Sequence, residues 1–162
     1  VKRIPLTRGL EALVDDEDFE ELSKHKWHVK RSKRQAQHYV TRTVKDENGK
    51  YNKKRFMHRD IMKPEKGMMV DHIDHNTLNN QKSNLRVCTH SQNQMNRRIE
   101  KGKSSRFKGV SKCKKKGMWE ACIQANRKQK YLGAFDSELG AAIAYNDAAR
   151  ELFGEFANLN EI

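Results

Sequence analysis

Residues 70–97 read VDHIDHNTLNNQKSNLRVCTHSQNQMNR, and no other stretch gathers so many metal-capable and proton-transferring side chains. Asp71, His72, Asp74, His75, Asn76, Asn79, Asn80, Asn84, His90, Asn93 and Asn96 all fall inside it. Two short apolar runs, Met68-Met69-Val70 and Leu85-Arg86-Val87-Cys88, bracket an Asn-rich loop, which predicts a small hairpin with a long connection. The following Thr89-His90-Ser91-Gln92-Asn93-Gln94-Met95-Asn96-Arg97 predicts a short helix, with Thr89 or Ser91 placed to cap it. Two strands, a loop and a helix make a compact cradle for one hard cation. Zinc fits poorly, because Cys88 is the only thiol nearby and no Cys-x-x-Cys pair exists. A carboxylate, an amide oxygen and waters suit magnesium or manganese.

The segment resembles the His-Asn-His (HNH) endonucleases, specifically those of phage and mobile-intron homing type. The match consists of Asp71-His72 at the first strand, Asn84 before the second and Asn93 on the helix. The resemblance implies a ββα-metal core in which Asp71 and Asn93 hold one divalent cation, Mg2+ or Mn2+. It makes His72 the general base and Asn84 the residue that braces the loop and orients His72. Many relatives carry a histidine at the third motif position; the homing-type branch accepts asparagine, as here. The chemistry agrees with those roles. Phosphodiester hydrolysis needs a water deprotonated near neutral pH, and a neutral imidazole with a pKa near ~6.5 accepts that proton. One constraint follows from strand geometry: neighbours on a regular strand point to opposite faces. For Asp71 and His72 to share a site, the strand must end or bulge there.

The chain has 162 residues, enough for one ordinary domain or two small ones. Hydrophobic residues make up 35% and charged residues 34%, which argues against one large apolar core. Lys and Arg number 34 against 21 acidic residues, a net charge of +13, the electrostatic signature of a polyanion binder. No apolar run approaches the ~18 residues of a membrane span and no lipidation motif appears. Cys88, Cys113 and Cys122 are few, odd in number and unpatterned, and read as reduced thiols of an intracellular protein. No signal peptide is recognisable, and a start at Val1 without methionine is expected of a trimmed or processed chain.

Residues 1–50 read as a leader. Ile4-Pro5-Leu6 and Leu10–Val14 predict short strands joined around Arg8-Gly9. Asp15 and the acidic residues after it predict a helix N-cap and first turn, the helix running to about Lys24 with Phe19 and Leu22 inward. Trp27 reads as a core anchor, with a base-stacking group as the alternative. Tyr39–Val44 predicts a strand, Glu47-Asn48-Gly49 a hairpin turn, and Tyr51 the start of the return strand. Lys30, Arg31, Lys33 and Arg34 form either a solvated face or a phosphate contact. Residues 51–98 hold the nuclease core, beginning with a short helix over Phe56–Met62 that packs through Phe56 and Met57 and ends at Pro64. Its His58-Arg59 matches a pair found upstream in the family; His58 is expected to pack, and Arg59 to hold a phosphate. Asp74 and His75 are spare donors or loop braces, and His90 either caps the helix or contacts DNA.

The basic segment 95–106, low in apolar content, marks the domain boundary, with 99–104 as the linker. Its Arg97, Arg98 and Lys101 either track the phosphate backbone or form a tether. In residues 105–162, Phe107–Val110, Met118–Ile123 and Gln129–Gly133 predict three strands. Lys114-Lys115-Lys116-Gly117 and Asn126-Arg127-Lys128 form the turns between them. A helix over about 138–152, capped by Asp136 or Ser137, has an inner stripe of Leu139, Ala142, Ile143, Ala149, Leu152 and Phe153. Gly154 takes the left-handed position after it. Phe-Lys-Gly-Val, Trp119, Tyr-Leu-Gly-Ala-Phe, Ala-Ala-Ile-Ala-Tyr-Asn and a closing Ala-Asn-Leu-Asn resemble the Apetala/ethylene-response-factor DNA-binding domain. In that family the sheet enters the major groove. Carried over, Lys108, Lys112, Trp119, Gln124, Lys130 and Tyr131 form the contact set. Plant members have arginines at the positions of Lys108, Ser111 and Gln124 and a tryptophan at that of Tyr131, so no plant target sequence transfers.

Together these observations give an α+β chain: a ββα-metal nuclease core, then a three-stranded antiparallel sheet packed on one helix. The expected activity is metal-dependent hydrolysis of double-stranded DNA, nicking or cleaving both strands, by a monomer in the cytoplasm of a bacterial or phage-infected cell. The alternatives are a non-catalytic DNA-binding regulator and a structure- or RNA-directed nuclease.

Overall fold

The structure, a computed structural model, describes residues 1–31, 38–99, 103–114, 117–125 and 128–162. Lys33, Arg34, Lys101, Lys115, Lys116, Asn126 and Arg127 lie outside the described residues. The chain forms two compact units, Val1–Thr89 and His90–Ile162, each mixing helices with small antiparallel sheets. Among the described residues no helix is long and apolar enough to cross a membrane.

In the first unit, β1 (Lys2–Pro5) and β2 (Glu11–Val14) pair antiparallel across a one-turn 3-10 helix, Thr7–Gly9. The acid-rich run then gives α1 (Asp16–Ser23), whose Leu22 is buried and whose Phe19 packs on the same core. Asp15 stands at the N-cap position without making the expected cap bond. Its carboxylate instead accepts from the Gln81 amide at 3.2 Å and the Lys82 backbone N–H at 2.7 Å. The sheet of β3 (His28–Arg31), β4 (His38–Lys45) and β5 (Tyr51–Phe56) follows in that order. Its hairpin turn is organised by Asp46, which accepts from the Asn48 and Lys50 N–H groups, each at 2.9 Å.

The helix expected over Phe56–Met62 begins one residue later, as α2 (Met57–Met62). Phe56 stays in β5 because it is paired with Thr41. Lys63, with φ 44, closes the helix by donating to Arg59 O at 3.0 Å, just before Pro64. Then come β6 (Met69–His72) and β7 (Leu85–Cys88), an antiparallel pair where the apolar runs predict a hairpin. Ile4, Leu6, Ala12, Val14, Leu22, Trp27, Val29, Val40 and Met57 form one buried cluster, so residues on both sides of position 50 share a core. Full burial of each larger aliphatic is worth about 1.5–3 kcal/mol. Trp27, 2% exposed, donates its indole N–H to Leu22 O at 2.8 Å and is a core anchor, as its sequence context suggests.

The second unit contains α3 (His90–Met95), β8 (Val110–Lys112), β9 (Trp119–Ala125), β10 (Lys128–Phe135) and α4 (Glu138–Phe153). Strand β9 is central, antiparallel to both neighbours, and α4 packs across the sheet. Three expectations differ from the structure. The first strand starts at Val110 instead of Phe107, because Phe107–Gly109 forms a turn with Gly109 at φ 76. The inner stripe of α4 is also rotated. Ala141, Ala142, Tyr145, Asn146, Ala149 and Phe153 are buried, whereas Leu139, Ile143 and Leu152 are 46%, 45% and 39% exposed. Alanines let the helix axis come close to the sheet, and Tyr145 packs against Gly109, where no side chain intervenes. Ser137 caps α4 through Gly140 N at 3.0 Å; Gly154 follows with φ 52 but ψ −127, so it is not left-handed helical as expected.

Candidate functional site

Strands β6 and β7 pair without a bulge, Asp71 opposite Arg86 and His72 opposite Leu85. The strand ends at His72, the condition that adjacent site residues require. The chain then turns: His75, with φ 63, donates its N–H to His72 O at 3.1 Å, and Ile73 N–H reaches Asn84 O at 2.9 Å. Asp71 and His72 are both buried, 8% and 4% exposed. Arg86 donates to Asp71 Oδ2 from Nε at 3.1 Å and from Nη2 at 2.9 Å. Charge-assisted donation of this kind fixes the carboxylate as well as balancing it.

The loop between the strands is braced from within and without. Asn84 Oδ1 accepts from Asp74 N–H at 3.0 Å, and its Nδ2 donates to Asn79 O at 2.9 Å. Asp74 in turn accepts from Asn76 N–H at 2.7 Å, which makes it a loop brace. Leu13 N–H reaches Leu78 O at 2.9 Å and Asn80 N–H reaches Leu13 O at 2.8 Å, which pins the loop to β2. Thr77 Oγ1 donates to His38 O at 2.6 Å and so ties it to β4.

His72 Nε2 lies 3.4 Å from Asn80 Oδ1, whose own Nδ2 donates to Thr77 O at 3.3 Å. With Asn80 Oδ1 as an acceptor at Nε2, the neutral ring carries its proton there and its lone pair on Nδ1. Burial lowers the His72 pKa from its ordinary value, while Asn80, Asp71 and Asp74 pull it back up. Edge-on to it, with ring centroids 5.1 Å apart, is His58, itself packed against Tyr39 and Phe56. Burial, the neighbouring His72 and Arg59 bring the His58 pKa down to about 3, so it is a neutral packing ring near pH 7. Arg59 donates to Met68 O at 3.1 Å, which supports the turn into β6.

The donors here suit a hard cation. Asp71 offers carboxylate oxygen, and burial raises the pKa of the nearby Cys88 thiol, which keeps it protonated and a poor ligand. Among the described residues no three His, Cys, Asp or Glu side chains converge as a metal site. Sequence reasoning missed Arg86 and Asn80. Arg86 was recoverable in principle as the cross-strand partner of Asp71, once the hairpin register is known.

The remaining residues singled out by sequence lie in the second unit. Asn93 is on α3, half-buried; His90 is that helix's exposed first residue, and Ser91 lies inside it. Arg97 is half-buried and Arg98 exposed. Lys108 is half-buried, and its ammonium donates to Met95 O at 2.5 Å. The proposed contact set does not occupy one face. Strand alternation and pairing put Gln124 and Tyr131 with Cys122, away from α4. Trp119 lies on the α4 side with Ala121 and Ile123, packed against the core there. Lys112 is its cross-strand partner, its ammonium 5.9 Å from the ring, and Lys130 is opposite Ile123.

Residues 63–95 match the family model described as HNH endonuclease. The chain is 36% identical over 157 residues to an uncharacterized HNH endonuclease of Acanthamoeba polyphaga mimivirus, covering 96% of this chain and 77% of that protein. It is 37% identical over 92 residues to Protein 3.8 of Escherichia phage T7, covering 57% of this chain and 75% of that protein. It is also 42% identical over 64 residues to the AP2-like ethylene-responsive transcription factor TOE2 of Arabidopsis thaliana, 40% of this chain but 13% of that protein. The likeness to the mimivirus protein spans almost the whole chain, and the matched model covers the very hairpin and loop that hold Asp71 and His72; the chain belongs to the HNH endonuclease family.

Proposed function

We propose that this DNA endonuclease is of the homing type and divalent-metal-dependent, and cuts duplex DNA at a preferred site inside a bacterial or phage-infected cell. The observation that carries the reading is the pairing of a buried, neutral-leaning His72 with an Arg86-braced Asp71 where β6 ends. His72 takes a proton from water as the water oxygen bonds to phosphorus, the P–O bond to the leaving sugar oxygen breaks as that oxygen takes a proton from solvent, and His72 then returns its proton to solvent. Burial favours the uncharged imidazole, so the base is in its working form near neutral pH. Asn84 holds the loop that follows His72 and so limits the ring's wander. Asp71 and Asn93 would hold one Mg2+ or Mn2+, which when bound supplies charge neutralisation at the phosphate oxygens.

Residues 51–98 form the nuclease core in this reading, a ββα-metal arrangement. Residues 105–162 dock a monomer on the duplex as an Apetala-like module, with 99–104 as a basic connector. The sheet of β8–β10 backed by α4, together with the likeness to TOE2, supports that assignment. Arg59, Arg97, Arg98, Lys101, Lys112, Trp119, Gln124, Lys130 and Tyr131 are the DNA contacts to be tested. Of these, Gln124 and Tyr131 are the two on the sheet face away from α4.

Incubation with supercoiled plasmid, with magnesium and then with excess chelator, tests the whole. Nicked or linear product with magnesium and none with chelator is expected. Binding without cleavage under every metal condition would give the chain to the class of non-catalytic regulators.

A further inference from the structure

The helix that carries Asn93 is only six residues long, too short to hold its own conformation in water. Its position is therefore set by what grips it, and within the second unit the grips are specific. Met95 packs against the buried cluster formed by Ile123, Tyr145, Ala149 and Phe153. Lys108 places its ammonium 2.5 Å from Met95 O, a carbonyl in the last turn of α3, where a cation also meets the negative end of the helix. Asn158 Nδ2 donates to Arg97 O at 3.1 Å, two residues further on.

Those two anchors are themselves anchored. Asn160 Oδ1 accepts from Lys108 N–H at 2.6 Å, and its Nδ2 donates to Lys108 O at 3.1 Å. Asn146 of α4 closes the set: its Oδ1 accepts from Asn160 N–H at 2.7 Å and its Nδ2 donates to Asn160 O at 2.9 Å. The closing Asn-Leu-Asn thus joins α4, the Phe107–Gly109 turn and the end of α3 into one hydrogen-bonded frame. Burial, reinforced by Arg97, brings the Lys108 pKa down to about 8, as befits an ammonium removed from water and spent on a carbonyl.

We propose that Lys108 and Asn158 are positioning residues for DNA cleavage, which hold the end of α3 and thereby Asn93, and that Lys108 is not a phosphate contact. The inference rests on the reading of Asn93 as a metal ligand. It gives the sheet module a part in fixing α3, in addition to any role in docking.

The test uses the full chain with Lys108→Met, Asn158→Ala and Asn93→Ala. Three quantities are read: DNA affinity against salt, amide exchange of residues 92–97, and the Mg2+ concentration giving half-maximal single-turnover cleavage. Lys108→Met should keep the wild-type salt slope, speed exchange in α3 at least tenfold, and raise the Mg2+ requirement at least tenfold. Asn158→Ala, whose amide meets only backbone, should shift exchange and Mg2+ requirement the same way by a smaller factor. A salt slope reduced by about 0.9 with wild-type exchange and Mg2+ dependence would make Lys108 a phosphate contact and overturn the proposal. Should Lys108→Met fail to fold, Asn158→Ala decides: unchanged exchange and Mg2+ requirement overturn the anchoring role. If Asn93→Ala alone leaves the Mg2+ requirement unchanged, the ligand reading fails; if it alone shifts it, the anchoring fails.

Discussion

Replacing His58 by glutamine should make the first unit markedly less sensitive to acid. His58 is 8% exposed, and its pKa is brought down to about 3 from an ordinary 6.5. In the unfolded chain the ring takes a proton below about pH 6.5; in the fold it resists until about pH 3. The unfolded state therefore binds more protons across that window, and stability falls as pH drops. At roughly 1.4 kcal/mol per pH unit, moving from pH 7.5 to 4.5 removes on the order of 2–3 kcal/mol through this one group. That is a large share of the 5–15 kcal/mol typical of a domain. Burial lowers the His72 pKa too and adds to the slope with the same sign, but it is present in both proteins, so the difference between them reports His58. Urea unfolding followed through buried Trp27, in a Trp119→Phe background, supplies the measurement at both pH values. The variant should start less stable at pH 7.5, having lost ring packing on Tyr39, Phe56 and His72, yet lose about 2–3 kcal/mol less on acidification. Equal acid losses in the two proteins would refute the claim that His58 is held neutral by burial.

Three further outcomes are expected. His72→Ala should cut single-turnover cleavage roughly 10²–10⁴-fold while DNA affinity stays within about twofold, since a positioned base contributes that much; a wild-type rate would remove His72 from the mechanism. Arg86→Met should destabilise the first unit by about 3–5 kcal/mol, because it breaks a buried ion pair by removing one partner, and a melting temperature within error of wild type would contradict the buried pairing. Gly109→Ala should cost the second unit about 2–5 kcal/mol, from a positive φ and from a methyl that would overlap the Tyr145 ring and lie 2.6 Å from Cys122 O. An unchanged thermal transition would show that α4 does not approach the sheet as closely as Tyr145 implies.

Sequence alone determined the local elements around the site. Alternating apolar runs and an Asn-rich connection specify β6, the loop and β7, because hairpin pairing and Asx turns are made between near neighbours. Trp27, the α4 cap at Asp136 or Ser137 and the Glu47-Asn48-Gly49 turn were legible for the same reason. Tertiary structure decided which distant groups complete them. That Asp15 grips Gln81 and Lys82 instead of capping α1 depends on bringing together residues some 66 positions apart. The rotation of α4 was hidden because helical spacing favours its large aliphatics, whereas close approach over Gly109 selects its alanines and Tyr145. Likewise the six-residue α3 carries the third motif position in sequence, but Lys108 and Asn158 hold it within the second unit. A helix too short to stabilise itself takes its place from its partners, and those partners are set by packing across the chain, beyond what local order in the sequence encodes.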